Sequence, residues 1–299
     1  MTHSTSEASA QAPAASSQAP AASSQAPAAN NAPAPESWIG EGPVLLDYAD
    51  GVATLTLNRP GSANGMNIEL MQALYRAIMV VHRAPDVRVL HLRGAGANFC
   101  AGGDVREFAS KGEALGDFLR EVTAYLQVAI GALIRLKAVV VTEVHGYAAG
   151  GGGLGLVCAS DVVIAGAGAK FLAGATRVGM APDAGSSVIL PHLVGFRRAA
   201  EIMLSNRIVD AAEAQAIGLI TRCVPDDALQ AEAKKAARLY ASGAPLALAA
   251  TKRLLWNALD VERALPEEAR TVSELSFTAD SREGLAAVIG KRKPVFTGR

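Results

Sequence analysis

The sequence has no excess of either charge: 28 Lys and Arg residues balance 28 Asp and Glu residues, and the formal net charge is zero. Nucleic acids and anionic membranes bind proteins through a basic field, so neither is expected as a partner. Cysteine is scarce as well. Cys100, Cys158 and Cys223 lack the spacing of a zinc site or a disulfide framework, so we expect reduced thiols, no metal and a cytoplasmic protein.

Lys and Arg are missing from the first 58 positions, and Arg59 is the first of these residues in the chain. Secretory and mitochondrial targeting segments need such residues, so neither is predicted. Residues 1–37 repeat the heptamer QAPAASS at Gln11–Ser17 and Gln18–Ser24, followed by QAPAANN at Gln25–Asn31. A proline in every repeat excludes a coiled coil, and the small side chains bury too little surface to order the chain. We predict a disordered Ala/Pro/Ser/Gln-rich arm over residues 1–37.

Long apolar runs are also absent. The uncharged stretch Gly146–Ser160 has 15 residues, which is shorter than the ~20 that a membrane span needs. Strand-like and helix-like segments alternate from Val44 to about Ala165, and the pattern after Ser186 is mostly helical. We therefore predict an α/β fold, with a core at residues 38–240 and a C-terminal helical region at residues 241–299.

Two glycine-rich loops, Asn98–Asp104 and His145–Gly153, each lie between a predicted strand and a predicted helix. Backbone N–H groups at such turns lack partners and can bind a negatively charged oxygen. Two of them from adjacent strands could meet at one oxygen, which is the geometry of an oxyanion hole. Taken alone, each loop is better explained as a tight turn that allows close helix packing.

Both loops also belong to a series of seven motifs, and this series resembles the crotonase superfamily, the enoyl-CoA hydratase/isomerase family. The resemblance runs from about Val44 to the C-terminus. The motifs are LNRP at Leu57–Pro60 with Asn64, FCAGGD at Phe99–Asp104, HGYAAGGG at His145–Gly152, CASDVVIA at Cys158–Ala165, GMAPDAG at Gly179–Gly185, EAQAIGLI at Glu213–Ile220 and KRKPVFTGR at Lys291–Arg299.

The resemblance implies a crotonase-like spiral of ββα units with a C-terminal helical trimerisation region, assembled as a homotrimer or a dimer of trimers. It implies an acyl-CoA thioester substrate and no tightly bound cofactor. The oxyanion-hole donors would be the N–H groups of Gly103 and Gly151. The positions that match coenzyme A contacts, the last two often from a neighbouring subunit, are Arg59, Ser62, Ala63, Ala101, Gly103, Gly151, Lys291 and Phe296.

The departures from the family pattern concern the acids. Hydratases of the family carry two glutamates that activate water, and the matching positions here are Leu154 and Ala175. Asp183 remains, and an acid at that position resembles the single-Asp enoyl-CoA isomerases of the phenylacetate-pathway type. Asp183 also precedes an apolar helical run, where it could serve as the helix N-cap instead.

The sequence thus predicts an acyl-CoA isomerase that moves a C=C double bond, with Asp183 as the acid and base. One carboxylate in an apolar pocket can perform both proton transfers. Two alternatives stay open. One is an enoyl-CoA hydratase in which Asp183 or Glu107 replaces the missing acids, and the other is a catalytically idle acyl-CoA-binding protein. A fatty acyl group and a ring-derived group both remain open as substrates.

Overall fold

The structure is a computed structural model that describes Met1 and residues 36–298. The predicted arm therefore lies outside the described residues, apart from Met1 and its last two positions. Glu36 and Ser37 begin a strand that pairs with the next one. Residues 36–298 belong to one compact unit, which includes the helices after residue 240.

The strands of the described part fall into two sheets. They are β1 (Glu36–Ile39), β2 (Val44–Ala49), β3 (Val52–Leu57), β4 (Val89–Gly94), β5 (Val139–Val144), β6 (Tyr147–Ala149), β7 (Val162–Gly166), β8 (Lys170–Leu172), β9 (Val209–Asp210) and β10 (Arg222–Val224). The larger sheet has the order β1-β2-β3-β4-β5-β7-β10, and β6-β8-β9 form the smaller one. Pairing is parallel from β3 to β10 and antiparallel among β1, β2 and β3.

Helices fill most of the remaining chain. They are α1 (Ile68–Arg83), α2 (Val105–Ser110), α3 (Leu115–Ile134), α4 (Leu156–Cys158), α5 (Ser186–Val194), α6 (Phe196–Ser205), α7 (Ala211–Ala216), α8 (Leu229–Ala241), α9 (Pro245–Asn257), α10 (Val261–Ser276) and α11 (Ala279–Ile289). The mixed α/β class predicted from the sequence is confirmed. The short strands β6, β8 and β9 were not predicted, because runs of two or three residues carry too little periodicity.

Two short sequence signals, an Asp-Gly pair for a hairpin turn and an Asn before an apolar helical segment for an N-cap, are both found in the structure. Asp50 and Gly51 join β2 to β3 with φ values of 51° and 80°, the left-handed pair that a tight hairpin turn needs. Asn67 caps α1, and its side chain accepts a hydrogen bond from the Leu70 N–H at 2.9 Å. The cap satisfies one of the free donors in the first turn of the helix.

The larger sheet is covered on both faces. On one face, α1 packs on β2 and β3 and against α3, and strand residues such as Leu90 and Val140 belong to the same apolar cluster. On the other face, α8 covers Val89, Val141 and Ile164. A sheet buried on both sides explains the nearly continuous apolar strands in the sequence. It also leaves the carboxyl ends of the parallel strands as the edge where loops can form a crevice.

Candidate active site

The two glycine-rich loops follow β4 and β5, which are neighbouring parallel strands, and they run side by side. The Phe99 N–H donates to the His145 carbonyl at 2.9 Å, and the Cys100 N–H donates to the Tyr147 carbonyl at 3.0 Å. The Ala149 N–H donates back to the Cys100 carbonyl at 2.9 Å. This ladder continues the sheet beyond the strand ends and fixes the two loops against each other.

Gly103 and Gly151 come directly after this ladder. Gly151 lies in the first turn of the helical segment that leads into α4, where backbone N–H groups have no partner earlier in the helix. Within the described part of the chain, the Gly103 N–H donates no backbone hydrogen bond either. Gly102 and Gly150 lie so close that a methyl group on Gly150 would be 3.3 Å from the Gly102 Cα atom and 3.9 Å from the Gly103 N atom. That the Gly103 and Gly151 N–H groups bind one oxygen as an oxyanion hole stays a prediction.

A cavity of about 220 Å³ opens beside these glycines. Its wall is formed by both loops, by α1, α2, α3, α10 and α11, and by the segment between β8 and α5. The apolar side chains in the wall are Met66, Met71, Val105, Phe108, Leu119, Val122, Leu126, Leu172, Val178, Met180, Val272 and Val288. Among the described residues, Asp183 and Arg177 are the only charged side chains that line the cavity. The site therefore suits an apolar acyl group.

Asp183 brings its carboxylate against the second glycine-rich loop, which contains Gly151. A methyl group at Gly151 would overlap the Asp183 Oδ1 atom, so the carboxylate lies in contact with the Gly151 backbone. The alternative role of Asp183 as a helix cap is wrong. The N-cap of α5 is Gly185, and no side chain at the cap position donates or accepts there.

Burial, and after it the negative charge of the nearby Glu268 carboxyl, together raise the pKa of Asp183 from its ordinary 3.8 to about 7. A carboxyl group loses solvation when it ionises inside an apolar cavity, and a second negative charge adds to this penalty. An acid with a pKa near neutrality can both accept and return a proton at physiological pH. The apolar surroundings of Asp183 therefore give it the pKa that a single acid and base needs.

The positions of the two hydratase glutamates carry no acid. Ala175 lines the cavity, whereas Leu154 is buried in the core. Glu107 was considered as a substitute acid, but it does not line the cavity and lies 3.4 Å from the Lys111 ammonium on the outer side of α2. Burial raises the pKa of the Cys100 thiol to about 12, so this residue beside the loop stays protonated.

The residues predicted to contact coenzyme A fall into two groups. Ala101, Gly103 and Gly151 line the cavity. Arg59, Ser62 and Ala63 do not line the cavity, although the Ala101 N–H donates to the Ala63 carbonyl at 3.0 Å. Arg59 is not a free cation: its Nη2 lies 3.2 Å from the Asp104 carboxylate, and its Nη1 donates to the Gly65 carbonyl. Its role toward coenzyme A stays a prediction.

Lys291 and Phe296 lie apart from the cavity in this chain. Lys291 is exposed. Phe296 lines an outer groove that shares Arg177 with the cavity. The segment that carries both residues is held against α11 by acids of that helix, since Asp280 accepts from the Thr297 and Gly298 N–H groups at 2.7 and 2.8 Å. The contact of these two residues with coenzyme A, from this chain or a neighbour, stays a prediction.

Sequence reasoning missed two residues that shape the site. Asn64 was recognised only as part of a motif, yet its buried amide donates to the carbonyls of Ala95, Asn98 and Phe99 at 2.8 to 3.0 Å and so supports the first loop. Glu268 was not singled out. It falls on the apolar stripe of α10 with Leu265 and Val272, and an acid at such spacing is a readable signal.

Glu143 is an acid in the buried strand β5, and its carboxylate has a buried partner. Its Oε2 lies 3.0 Å from the Nε2 of His91 on the neighbouring strand β4. Both residues are absent from the lining of the cavity. The pair therefore belongs to the interior of the sheet and not to the candidate active site.

Comparisons with known proteins agree with this geometry. Residues 47–299 match the family model described as Enoyl-CoA hydratase/isomerase. The chain is 38% identical to a probable enoyl-CoA hydratase of Rhodobacter capsulatus over 86% of this chain and 98% of that protein. It is 34% identical to the 1,2-epoxyphenylacetyl-CoA isomerase of Escherichia coli, with the same coverage of both chains.

Solved structures show the same similarity. An enoyl-CoA hydratase from Mycobacterium avium subsp. paratuberculosis superposes with a TM-score of 0.78 at 31% identity, covering 86% of this chain and 99% of that one. An enoyl-CoA hydratase/isomerase from Pseudoalteromonas atlantica gives 0.75 at 32% identity, covering 86% and 100%. The paired glycine loops and the apolar cavity are those of a crotonase-fold protein.

The chain belongs to the enoyl-CoA hydratase/isomerase family, whose members act on acyl-CoA substrates. The predicted crotonase fold is thereby confirmed. Within the described residues, none of the helices combines the length and the apolar character needed to cross a membrane.

Proposed function

We propose that this protein is an enoyl-CoA isomerase that moves a C=C double bond from the 3-position to the 2-position of an acyl-CoA thioester. Asp183 is the acid and base, and the Gly103 and Gly151 N–H groups hold the thioester oxygen. One observation carries the proposal: among the described residues, Asp183 is the only acid in the cavity, and its carboxylate touches the second glycine-rich loop.

The reaction follows from this arrangement. The Asp183 carboxylate takes a proton from C2 of the substrate, and the electron pair of that C–H bond moves into the thioester carbonyl. The resulting dienolate oxygen is stabilised by the two backbone N–H groups. Asp183 then returns the proton to C4, which leaves the double bond between C2 and C3 and restores the carbonyl. No water enters the reaction.

The cavity wall supports an isomerase over a hydratase. Addition of water to a C=C bond needs an acid and a base that hold the water between them. Ala175 lines the cavity at one hydratase position, and Leu154 is buried at the other. Neither side chain exchanges protons. The relatives named hydratase keep hydration as the second candidate.

Substrate turnover in deuterated buffer distinguishes the two candidates. We expect 3-enoyl-CoA to be converted to 2-enoyl-CoA, with exchange at C2 and C4 seen by mass spectrometry, and crotonyl-CoA to stay unhydrated. Both linear and ring-containing acyl groups should be tested. Rapid hydration of crotonyl-CoA would favour the hydratase, and acyl-CoA binding without turnover of any substrate would favour an idle binding protein.

The pH dependence of isomerisation should report the Asp183 carboxyl group. Asp183 must be ionised to take the first proton, and its pKa is raised to about 7. We therefore expect kcat/KM to rise with pH along a limb centred near 7 and to level off above it. Initial rates at fixed ionic strength between pH 5 and 9 provide the measurement. A limb near 4, the ordinary value for aspartate, would contradict this environment.

A further inference from the structure

The first turn of helix α5 is capped from a distant part of the chain. The Glu268 carboxylate on α10 accepts hydrogen bonds from the Gly185 N–H at 2.6 Å and the Ser187 N–H at 2.9 Å. The Ser187 hydroxyl also donates to it. The side chain of the N-cap residue usually accepts these hydrogen bonds, but the N-cap here is Gly185, which has no side chain. Glu268 is buried and substitutes for the missing cap.

This arrangement leaves the Asp183 carboxylate without a role as the cap of α5. Asp183 lies two residues before Gly185 and is the nearest acid in sequence to the free N–H groups of α5. Without Glu268, the unpaired donors of the buried helix end would attract that carboxylate, because buried N–H groups need an acceptor. Since Glu268 satisfies them, Asp183 points into the cavity instead.

The turn between Asp183 and α5 has an unusual backbone that needs support. Ala184 has a φ of 58° and Gly185 a φ of 76°. An alanine in the left-handed region costs free energy and persists where the surroundings hold it. The hydrogen bonds from Glu268 to Gly185 and Ser187 bind the far side of this turn. They therefore hold the backbone that orients the Asp183 side chain.

We propose that Glu268 is a positioning residue of the active site: it caps α5 in place of Asp183, holds the turn that carries Asp183, and adds a buried negative charge behind it. Its carboxyl group does not line the cavity, so it acts through Asp183 and not on the substrate. This inference rests on the proposed function, since it concerns the base of that reaction.

The charges around Asp183 indicate that Glu268 raises the pKa of Asp183. Glu268 raises the pKa of Asp183 after the larger effect of burial. Burial also raises the pKa of Glu268, while its three donors oppose that rise and favour the ionised form. Arg177, which also lines the cavity, carries a positive charge. The Cys158 thiol on α4 stays neutral because burial raises its pKa to about 12. Glu268 is thus the one negative group that faces Asp183 among the described residues.

The test is Glu268→Gln in the full-length protein, with Glu267→Gln as the matched control. Glu267 is the neighbouring residue on α10 and is exposed, so its variant makes the same change of charge on the solvent side. We expect the acidic limb of kcat/KM in Glu268→Gln to move down by about one pH unit, because a like charge has been removed. We also expect kcat to fall by about 10–100-fold with little change in KM, because the base is less well held. The control should behave as wild type.

Carbon-13 NMR titration of the Asp183 carboxyl group, assigned with Asp183→Asn, gives a readout that needs no substrate. Its pKa should be lower in Glu268→Gln than in wild type. Identical titration in the two folded proteins overturns the role of Glu268, whatever reaction the enzyme performs. Absence of isomerisation in wild type contradicts the proposed function alone.

Wild-type protein offers a second measurement should Glu268→Gln fail to fold. Two acids that interact titrate as a pair, so each resonance reports both steps. In a plot of the Asp183 carboxyl chemical shift against pH, we expect a second inflection at the pH where Glu268 ionises. A single inflection near 4 would overturn the proposed coupling.

Discussion

Asp183→Asn should lower kcat for isomerisation by ~10²–10⁴ or more, which is the range for loss of a general acid–base group. Asparagine has nearly the same shape as aspartate, so the apolar cavity and both oxyanion donors should remain in place. Binding of acyl-CoA, measured by calorimetry with a saturated thioester, should therefore change little. Asp227→Asn, which alters an exposed acid away from the cavity, is the control and should retain wild-type turnover.

The same variant should affect stability in a pH-dependent way. Folded Asp183 has a pKa of about 7 against an ordinary value of 3.8, so between these values the folded protein keeps a proton that the unfolded chain has released. Wild-type stability therefore falls as pH rises through this window. Asparagine has no such proton. Relative to wild type, Asp183→Asn should gain stability as pH rises, reaching a few kcal/mol above pH 7.

These two readouts separate catalysis from folding. A variant that is folded, binds thioester, gains stability at high pH and does not isomerise would establish Asp183 as the base. Unchanged turnover in Asp183→Asn would exclude this role, even if the stability gain were observed. Denaturant unfolding at pH 5 and pH 8 provides the stability comparison.

Gly151→Ala should reduce kcat/KM by ~10²–10³, the range seen when one oxyanion donor is lost. The added methyl group would overlap the Asp183 carboxylate. Either the carboxylate or the Gly151 backbone must therefore move, and each movement disrupts a group that contacts the reacting thioester. Asp183 and Gly151 both line the cavity, so the fold should persist and the circular dichroism spectrum should be unchanged.

Gly40→Ala is a suitable control for this substitution. Its methyl group would meet only the Ser37 hydroxyl at 3.2 Å, a flexible contact near strand β1 and away from the cavity. Kinetics of both variants with the same 3-enoyl-CoA give the comparison. Equal kcat/KM in Gly151→Ala and wild type would show that the Gly151 N–H and the nearby Asp183 carboxylate do not act together on the substrate.

The sequence allowed much of the site to be predicted because its main parts are local. The strand-to-helix loops around Gly103 and Gly151 have the glycine pattern of close backbone approach, and the structure places them side by side. The loss of both hydratase acids at Leu154 and Ala175 is also visible in the sequence. The glycine pattern needed only residue types and their order, whereas the roles assigned to Gly103, Gly151, Leu154 and Ala175 came from the resemblance to the family.

Other features depended on contacts between distant segments. Arg59 appeared to be an available cation, but the structure pairs it with Asp104, 45 residues away. The short strands β6, β8 and β9 form because neighbouring segments are brought together, since their own sequences are too short to specify strands. Packing of α10 against α3 and α5 places Val272 in the cavity wall, and no local pattern predicts this.

The sequence by itself determined the α/β class, the cap at Asn67 and the hairpin at Asp50 and Gly51. Each of these depends on interactions between residues close along the chain. Tertiary structure decided whether Asp183 caps a helix or lines the cavity. The physical reason is that the N–H groups at the start of α5 need an acceptor. Glu268, which lies 83 residues beyond Gly185, accepts their hydrogen bonds in place of Asp183.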